Sequence, residues 1–487
     1  MTERVKVAGV EVATGHFING ERRSSPSTFE VRTPLEWRTK LADVAHGTDD
    51  DARAAVRAAH AASATWAALA SEVRRDYLYR VASLIDERTV ELARVESLDT
   101  GMLESSLRDR VIGRGARNFR AYADLARDYQ PRRWSSHGTE NAVLRMPAGP
   151  TVVITPWNAP FMLSTWKVAP ALAAGNSVVL KPAEWSPLSA SLLADIVADA
   201  GLPPGVFNVV QGMGSEVGAA LVGDPLVRRI SFTGSPETGR LIGVAAARNL
   251  VPFTAEMGGK GPFVVLADAD LDAAARQAAI MYDDAGQVCL AGTRLLVDAR
   301  VRDEFVARFT EATSRHVLGD SRDAATTIAP LIHPDHLARV EGFVERARRA
   351  GDRIVFGGRR WRTDGLWYEP TLVEPRTGDA EIVQREVFGP VLTLQTFTSE
   401  DEAVALANAT AYGLSAIVYT ASRASADRFA SAIRAGTIWT NCFLVRDLSA
   451  PFGGTGISGI GREGGDYALD FYSDLKTYQV REGTTNG

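Results

Sequence analysis

From residue 150 onward the chain alternates short apolar runs with amphipathic stretches, and it does so twice. In the first set the runs at 151–155, 177–181, 206–210, 229–232 and 252–256 have strand length. Predicted helices near 163–174, 187–200, 215–222 and 236–248 separate them. Parallel neighbours cannot be joined by a tight turn, so this alternation implies a parallel sheet with helices on both faces. The second set places strands near 262–267, 294–297, 353–356, 391–397 and 415–419. Its helices fall at 270–285, 301–316, 334–350, 400–410 and 422–434. Two such sets suit a chain of 487 residues, too long for one ordinary core. The expected fold class is α/β, with a Rossmann-type parallel sheet, a second α/β domain and a small β arm.

The flanking segments differ in character. Residues 50–128 read as amphipathic helices. Residues 129–148, with Pro131, Trp134 and a polar Ser135-Ser136-His137-Gly138-Thr139 turn, suggest a protruding hairpin. The tail, 468–481, carries Phe471, Tyr472, Leu475, Tyr478 and Val480 in a strand-like pattern and is expected to pair with another subunit. A net charge of −5 argues against a nucleic-acid partner. Met1–Lys6 lacks the apolar run of a signal peptide, and no stretch approaches ~18 uninterrupted apolar residues, so no membrane span is expected. Two cysteines make no disulfide framework and suit a reducing cytoplasm. The histidines show no metal-ligand spacing. His333 and His336 flank Pro334 and read as a surface turn.

Parallel sheets bind ligands at the carboxyl ends of their strands, and the notable motifs fall there. Cys289 lies among small, turn-forming residues in Gly286-Gln287-Val288-Cys289-Leu290-Ala291-Gly292-Thr293-Arg294. A thiolate so placed can attack an aldehyde to give a thiohemiacetal, and hydride loss to a nicotinamide then leaves a thioester. The competing reading is a buried, inert cysteine, which is the reading preferred for Cys442. Glu256, in Thr254-Ala255-Glu256-Met257-Gly258-Gly259-Lys260, would activate the water that hydrolyses the thioester. Asn158, in Thr155-Pro156-Trp157-Asn158-Ala159-Pro160, has an amide that can donate to the oxyanion beside the Cys289 N–H. For a dinucleotide, Gly212-Met213-Gly214-Ser215-Glu216-Val217-Gly218 is a weak signal. Phe232-Thr233-Gly234-Ser235 opens a helix and suits a pyrophosphate. Lys181 and Glu184 end a strand where ribose hydroxyls would lie, and a glutamate there favours NAD over NADP.

Together these motifs resemble the aldehyde dehydrogenase superfamily over nearly the whole chain, and most closely its hydroxymuconic and aminomuconic semialdehyde dehydrogenases. Glu386-Val387-Phe388-Gly389-Pro390 and Pro451-Phe452-Gly453-Gly454 are similar to further signatures in the same order. The resemblance implies an NAD-binding domain over 1–128 and 149–257, a catalytic domain over 258–450, and an oligomerisation part over 129–148 and 466–487. It implies a homodimer or homotetramer. It also implies cofactor contacts from Ile154, Thr155, Pro156, Trp157, Lys181, Ala183, Glu184, Gly212, Gly218, Phe232, Thr233, Gly234, Ser235, Met257, Gly258, Glu386 and Phe388. Lys181 would serve the catalytic group as well, and Glu463 matches a proton-relaying glutamate of some members. Gly261 and Gly456 depart from the usual pattern. So do Asp283 and Asp284, which are expected to point outward because inward carboxylates would raise the thiol pKa.

The stretch Asn441-Cys442-Phe443-Leu444-Val445-Arg446-Asp447-Leu448-Ser449-Ala450-Pro451-Phe452 is similar to that of the muconic-type enzymes, whose substrates carry carboxylates beside the aldehyde. Arg446 is the candidate to hold such a carboxylate. Arg110 and Arg114 are candidates for a second clamp, and Phe452 lines the same place. Competing readings are a neutral aromatic or betaine-type aldehyde, a CoA-acylating relative, and a non-catalytic protein on the same fold. Pairing of Arg446 with Asp447 or Glu463 would make it structural.

Overall fold

The computed structural model describes residues 3–484, so the extreme ends of the first and last segments delineated above lie outside the described residues. Its first sheet has eight strands. Five are parallel, in the spatial order Phe207–Val209, Val178–Lys181, Thr151–Ile154, Arg229–Gly234, Phe253–Met257. The chain therefore runs outward in one direction, returns to the centre and runs outward in the other. The reversal lies between Thr151–Ile154 and Arg229–Gly234, where such sheets open a ligand crevice. Antiparallel strands His16–Ile18 and Glu21–Arg23 cap one edge, and Gly459–Ile460 caps the other beside Glu256.

The second sheet has seven strands, ordered Arg353–Phe356, Thr371–Glu374, Val391–Phe397, Arg294–Asp298, Pro262–Val265, Ser415–Tyr419, Thr437–Thr440. All neighbours are parallel except the first pair. The strands Thr371–Glu374 and Thr437–Thr440 and all six strands between Arg4 and Ala45 had no counterpart in the sequence reading. Each is short, and the N-terminal ones mix charged and apolar residues without a clean period.

Residues 49–128 are helical as expected. Thr48 starts the first helix with a reciprocal capping box to Asp51. Helices Ser71–Glu87, Ile112–Asp128 and Pro160–Ala173 pack together, with Tyr122 against Trp166. The hairpin forms as strands Arg133–Ser136 and Thr139–Pro147. The tail has a partner within its own chain. Strand Ser473–Arg481 pairs with Thr139–Pro147 of its own chain over nine residues, making a three-stranded arm. Arg229 fixes the approach by donating to the Phe471 and Ser473 carbonyls.

Candidate active site

The loop carrying Cys289 lies between helix Leu271–Ala279 and strand Arg294–Asp298 of the second sheet, and it is gripped from several sides. Before it, helix Leu271–Ala279 gives way to a kink in which Asp284 and Ala285 adopt positive φ, 51° and 55°. Gly286 follows at φ +68°, and any side chain there would collide with the Gly389 carbonyl. The Gln287 amide then donates to Asp284 O and accepts from Ile332 N. Asn158 Nδ2 donates to Gln287 O at 3.0 Å, so the amide is anchored by one N–H and the other has no acceptor among the described residues. Ser415 Oγ donates to Leu290 O. Cys289 itself is half-buried, and burial pushes its thiol up to about 12. Glu386 adds to that rise and Arg446 opposes it.

Glu256 is the penultimate residue of strand Phe253–Met257. Neither of its carboxylate oxygens has a hydrogen-bond partner among the described residues. Burial raises its pKa well above the usual carboxylate range, and Glu463 raises it further. Glu463 sits in a buried polar cluster. Lys167 pairs with it, Trp166 Nε1 donates to it, and Ser231 Oγ donates to its Oε1 at 3.2 Å. Ser231 in turn accepts from Lys167 and Thr254. Lys167 was missed from sequence. Its signal is a lone cation inside the otherwise apolar helix Pro160–Ala173, a position that needs a buried partner.

The expected cofactor residues line the carboxyl ends of the first sheet. Lys181 Nζ meets Glu184 Oε2 at 2.8 Å beyond strand Val178–Lys181, with Ala183 between them. Ser235 caps helix Pro236–Arg248, whose open N-terminus follows Phe232, Thr233 and Gly234. Ile154, Thr155, Pro156 and Trp157 lead from the central strand into the Asn158 turn. Glu386 reaches across from the second domain. Its Oε1 accepts from Gly259 N at 2.8 Å, and its carboxylate lies so close over Gly258 that a side chain there would overlap it. Met257 lies beside that glycine. The Phe388 ring meets Trp157 edge-on at 5.3 Å. Gly212 and Gly218 are buried, Gly212 against the Gly47 backbone. A free helix N-terminus for an anion, a carboxylate for a diol and an aromatic wall match the chemistry of NAD, so the residues present fit it.

The three arginines separate. Arg446 lies over the Phe452 ring at 3.9 Å and faces Trp166 at 5.7 Å. Arg114 faces the same Trp166 at 5.5 Å. Neither forms an ion pair or donates a hydrogen bond among the described residues. Asp447 is satisfied by Ser449 and Glu463 by Lys167, so the structural pairing considered for Arg446 is absent. Arg110 instead donates to Ser106 and faces Asp283 and Asp284. Those two carboxylates do not point outward as expected. The left-handed kink turns both into half-buried positions, and burial with their mutual repulsion lifts Asp283 to about 7. His333 and His336 are a second correction. His333 stacks on Trp185 at 4.5 Å, and His336 is buried, with its Nε2 bonded to Phe388 O at 2.7 Å.

A doubly wound sheet whose strand ends meet a thiol loop from a second domain defines a class, the NAD-dependent oxidoreductases that act on aldehydes. Residues 21–478 match the model of the aldehyde dehydrogenase family, and the chain belongs to that family. It is 39% identical over 481 residues to 2-hydroxymuconic semialdehyde dehydrogenase of Pseudomonas sp. (strain CF600), covering 96% of this chain and 99% of that one. It is 41% identical over 472 residues to betaine aldehyde dehydrogenase of Bacillus subtilis (strain 168), covering 94% and 96%. Among solved structures, a P. syringae indole-3-acetaldehyde dehydrogenase mutant in complex with NAD+ and IAA superposes with a TM-score of 0.95 at 36% identity, over 97% and 98% of the two chains.

Proposed function

We propose that this enzyme oxidises a carboxylated semialdehyde of the kind released by aromatic ring cleavage, 2-hydroxymuconate semialdehyde being the type, to the corresponding diacid. The observation that carries this reading is Arg446. Its guanidinium lies 3.9 Å over the centre of the Phe452 ring, within the field of Cys289 and Glu256, and no side chain among the described residues forms an ion pair with it. Arg114 adds a second positive charge across Trp166. A substrate carboxylate supplies the missing partner, whereas a quaternary ammonium would be repelled by both cations.

In this mechanism Glu256 takes the Cys289 proton, which burial holds tightly, and Sγ attacks the aldehyde carbon. The second N–H of the anchored Asn158 amide and the Cys289 backbone N–H stabilise the oxyanion. When bound, NAD supplies the acceptor for the hydride that leaves the thiohemiacetal carbon. Glu256 first releases the thiol proton outward by way of Glu463, which Lys167 balances, and is again a carboxylate when it draws a proton from the water that attacks the thioester. The adduct then expels Sγ as a thiolate and leaves the acid. Lys181 and Glu184 orient the cofactor, and Glu386 and Phe388 hold its nicotinamide end.

The reading extends to assembly. The arm of 129–148 and the terminal strand joins copies into a homodimer or homotetramer, with exposed Leu475 and Tyr478 available for the contact. The division into 1–128 with 149–257, 258–450, and 129–148 with 466–487 belongs to the same proposal. Two free cysteines suit the cytoplasm. The deciding experiment compares kcat/KM for 2-hydroxymuconate semialdehyde and for a chain-matched aldehyde without a carboxylate, in wild type and Arg446→Ala. A preference for the acid that falls ~10- to 100-fold in the variant, the loss of a charged hydrogen bond, supports the reading. Equal turnover, or a preference for the neutral aldehyde kept in the variant, transfers it to a neutral aromatic or betaine-type aldehyde.

A further inference from the structure

Phe388 is a bulky residue in the left-handed region, φ 61°, a conformation that L side chains avoid. Something must hold it there, and the start of helix Pro334–Ala350 does so. His336 Nε2 meets Phe388 O at 2.7 Å, and because a carbonyl only accepts, Nε2 carries the hydrogen. Arg339 Nη2 donates to Glu386 O at 2.8 Å. Gly389 packs so tightly on Val340 that an added Cβ would lie 2.6 Å from Val340 Cγ2. Positions 336, 339 and 340 share one helix face, so a single rigid surface meets residues 386–389 from end to end.

The same helix end reaches the opposite wall of the crevice. The His336 ring lies edge-on to Trp157 at 5.1 Å, next to Asn158. His333, the N-cap, accepts from Asp335 N and stacks on Trp185 beside Glu184. One helix end therefore touches three loops, 156–158, 184–185 and 386–389. Burial lowers the His336 pKa to about 4, so the imidazole is a neutral donor at working pH.

We propose that His336, seconded by Arg339, is a positioning residue that locks the backbone of Phe388 so that its ring is set for the nicotinamide. This rests on the reading of Phe388 and Glu386 as the nicotinamide end of the site. Three variants of the full-length enzyme test it, with KM for NAD, KM for the aldehyde at saturating NAD, and the deuterium isotope effect on kcat with a deuterated aldehyde. His336→Phe keeps an aromatic ring against Trp157 but removes the donor. It should raise KM for NAD roughly tenfold, the loss of one buried hydrogen bond, and raise the isotope effect, with KM for the aldehyde unchanged. His336→Gln, whose amide can reach the same carbonyl, should restore most of both. Arg339→Met should raise KM for NAD about threefold. A purely structural role would lower the folded fraction and the melting temperature while leaving KM and the isotope effect as in wild type, and that result overturns the proposal. Phe388→Ala separates the two layers. If it leaves NAD binding unchanged, the reading of Phe388 fails. If it weakens NAD binding while His336→Phe does not, the brace alone fails.

Discussion

The loop around Cys289 and the loop around Cys442 each carry one of the two cysteines, and they are built in opposite ways. The first is determined at nearly every residue: Gly286 by the Gly389 carbonyl, Gln287 by Asn158 and Ile332, Leu290 by Ser415. The second, 441–450, leaves Asn441, Leu444, Val445, Asp447, Ser449 and Ala450 exposed and runs left-handed at Asn441 and Leu444. A rigid loop keeps reacting atoms in register, and an open one can change its side chains at little cost to the fold.

Breaking the contrast should give effects of decreasing size. Cys289→Ala is expected to abolish acid formation while NAD still binds, and Cys442→Ala to leave turnover within about twofold, because only the first thiol faces Glu256 and Arg446. Retained turnover in Cys289→Ala would remove the nucleophile from the mechanism. Gly286→Ala puts a side chain against a carbonyl at positive φ. It should cost about 3 kcal/mol in denaturant unfolding and lower kcat, since strain and overpacking add. Asp283→Asn tests the kink between the rigid loop and its helix. The folded pKa of Asp283, about 7, lies above the ordinary value of 3.8, so its contribution to stability is complete below about pH 4 and is lost as pH rises through 7. The unfolding free energy of the wild type should therefore fall between pH 5 and 8 by more than that of the variant, by about 1–2 kcal/mol once solvent screening is allowed for. Leu444→Gly, in the open loop, relieves left-handed strain and loosens the unfolded chain, so stability should stay within about 1 kcal/mol of wild type.

The same contrast marks how far the sequence could be read. Periodicity marked most strands of both parallel sheets because they are continuous apolar runs, and the motifs that follow those runs put Asn158 just beyond Thr151–Ile154 and Glu256 near the end of Phe253–Met257, with Cys289 in the loop before Arg294–Asp298. It failed where local pattern and tertiary contact disagree. Asp283 and Asp284 looked like a solvated pair, but two successive left-handed residues at 284 and 285 reverse the chain and half-bury both. His336 looked like part of a turn because its partners, Trp157 and the Phe388 carbonyl, lie 179 and 52 positions away in sequence. Lys167 showed itself only as an anomaly in an apolar helix. Strand Ser473–Arg481 was recognisable, yet nothing local says that its ladder partner is Thr139–Pro147.

That last pairing has a consequence for how the molecule is made. Arg145 and Asp470, which bind each other at the base of the arm, are 325 residues apart. A ribosome adding about 5–20 residues per second needs roughly 15–65 s to bridge that interval. Throughout it, one edge of strand Thr139–Pro147 waits unpaired on the nascent chain, a template for any passing strand. The arm is therefore the last clasp to close, after the strands of both large sheets have been made.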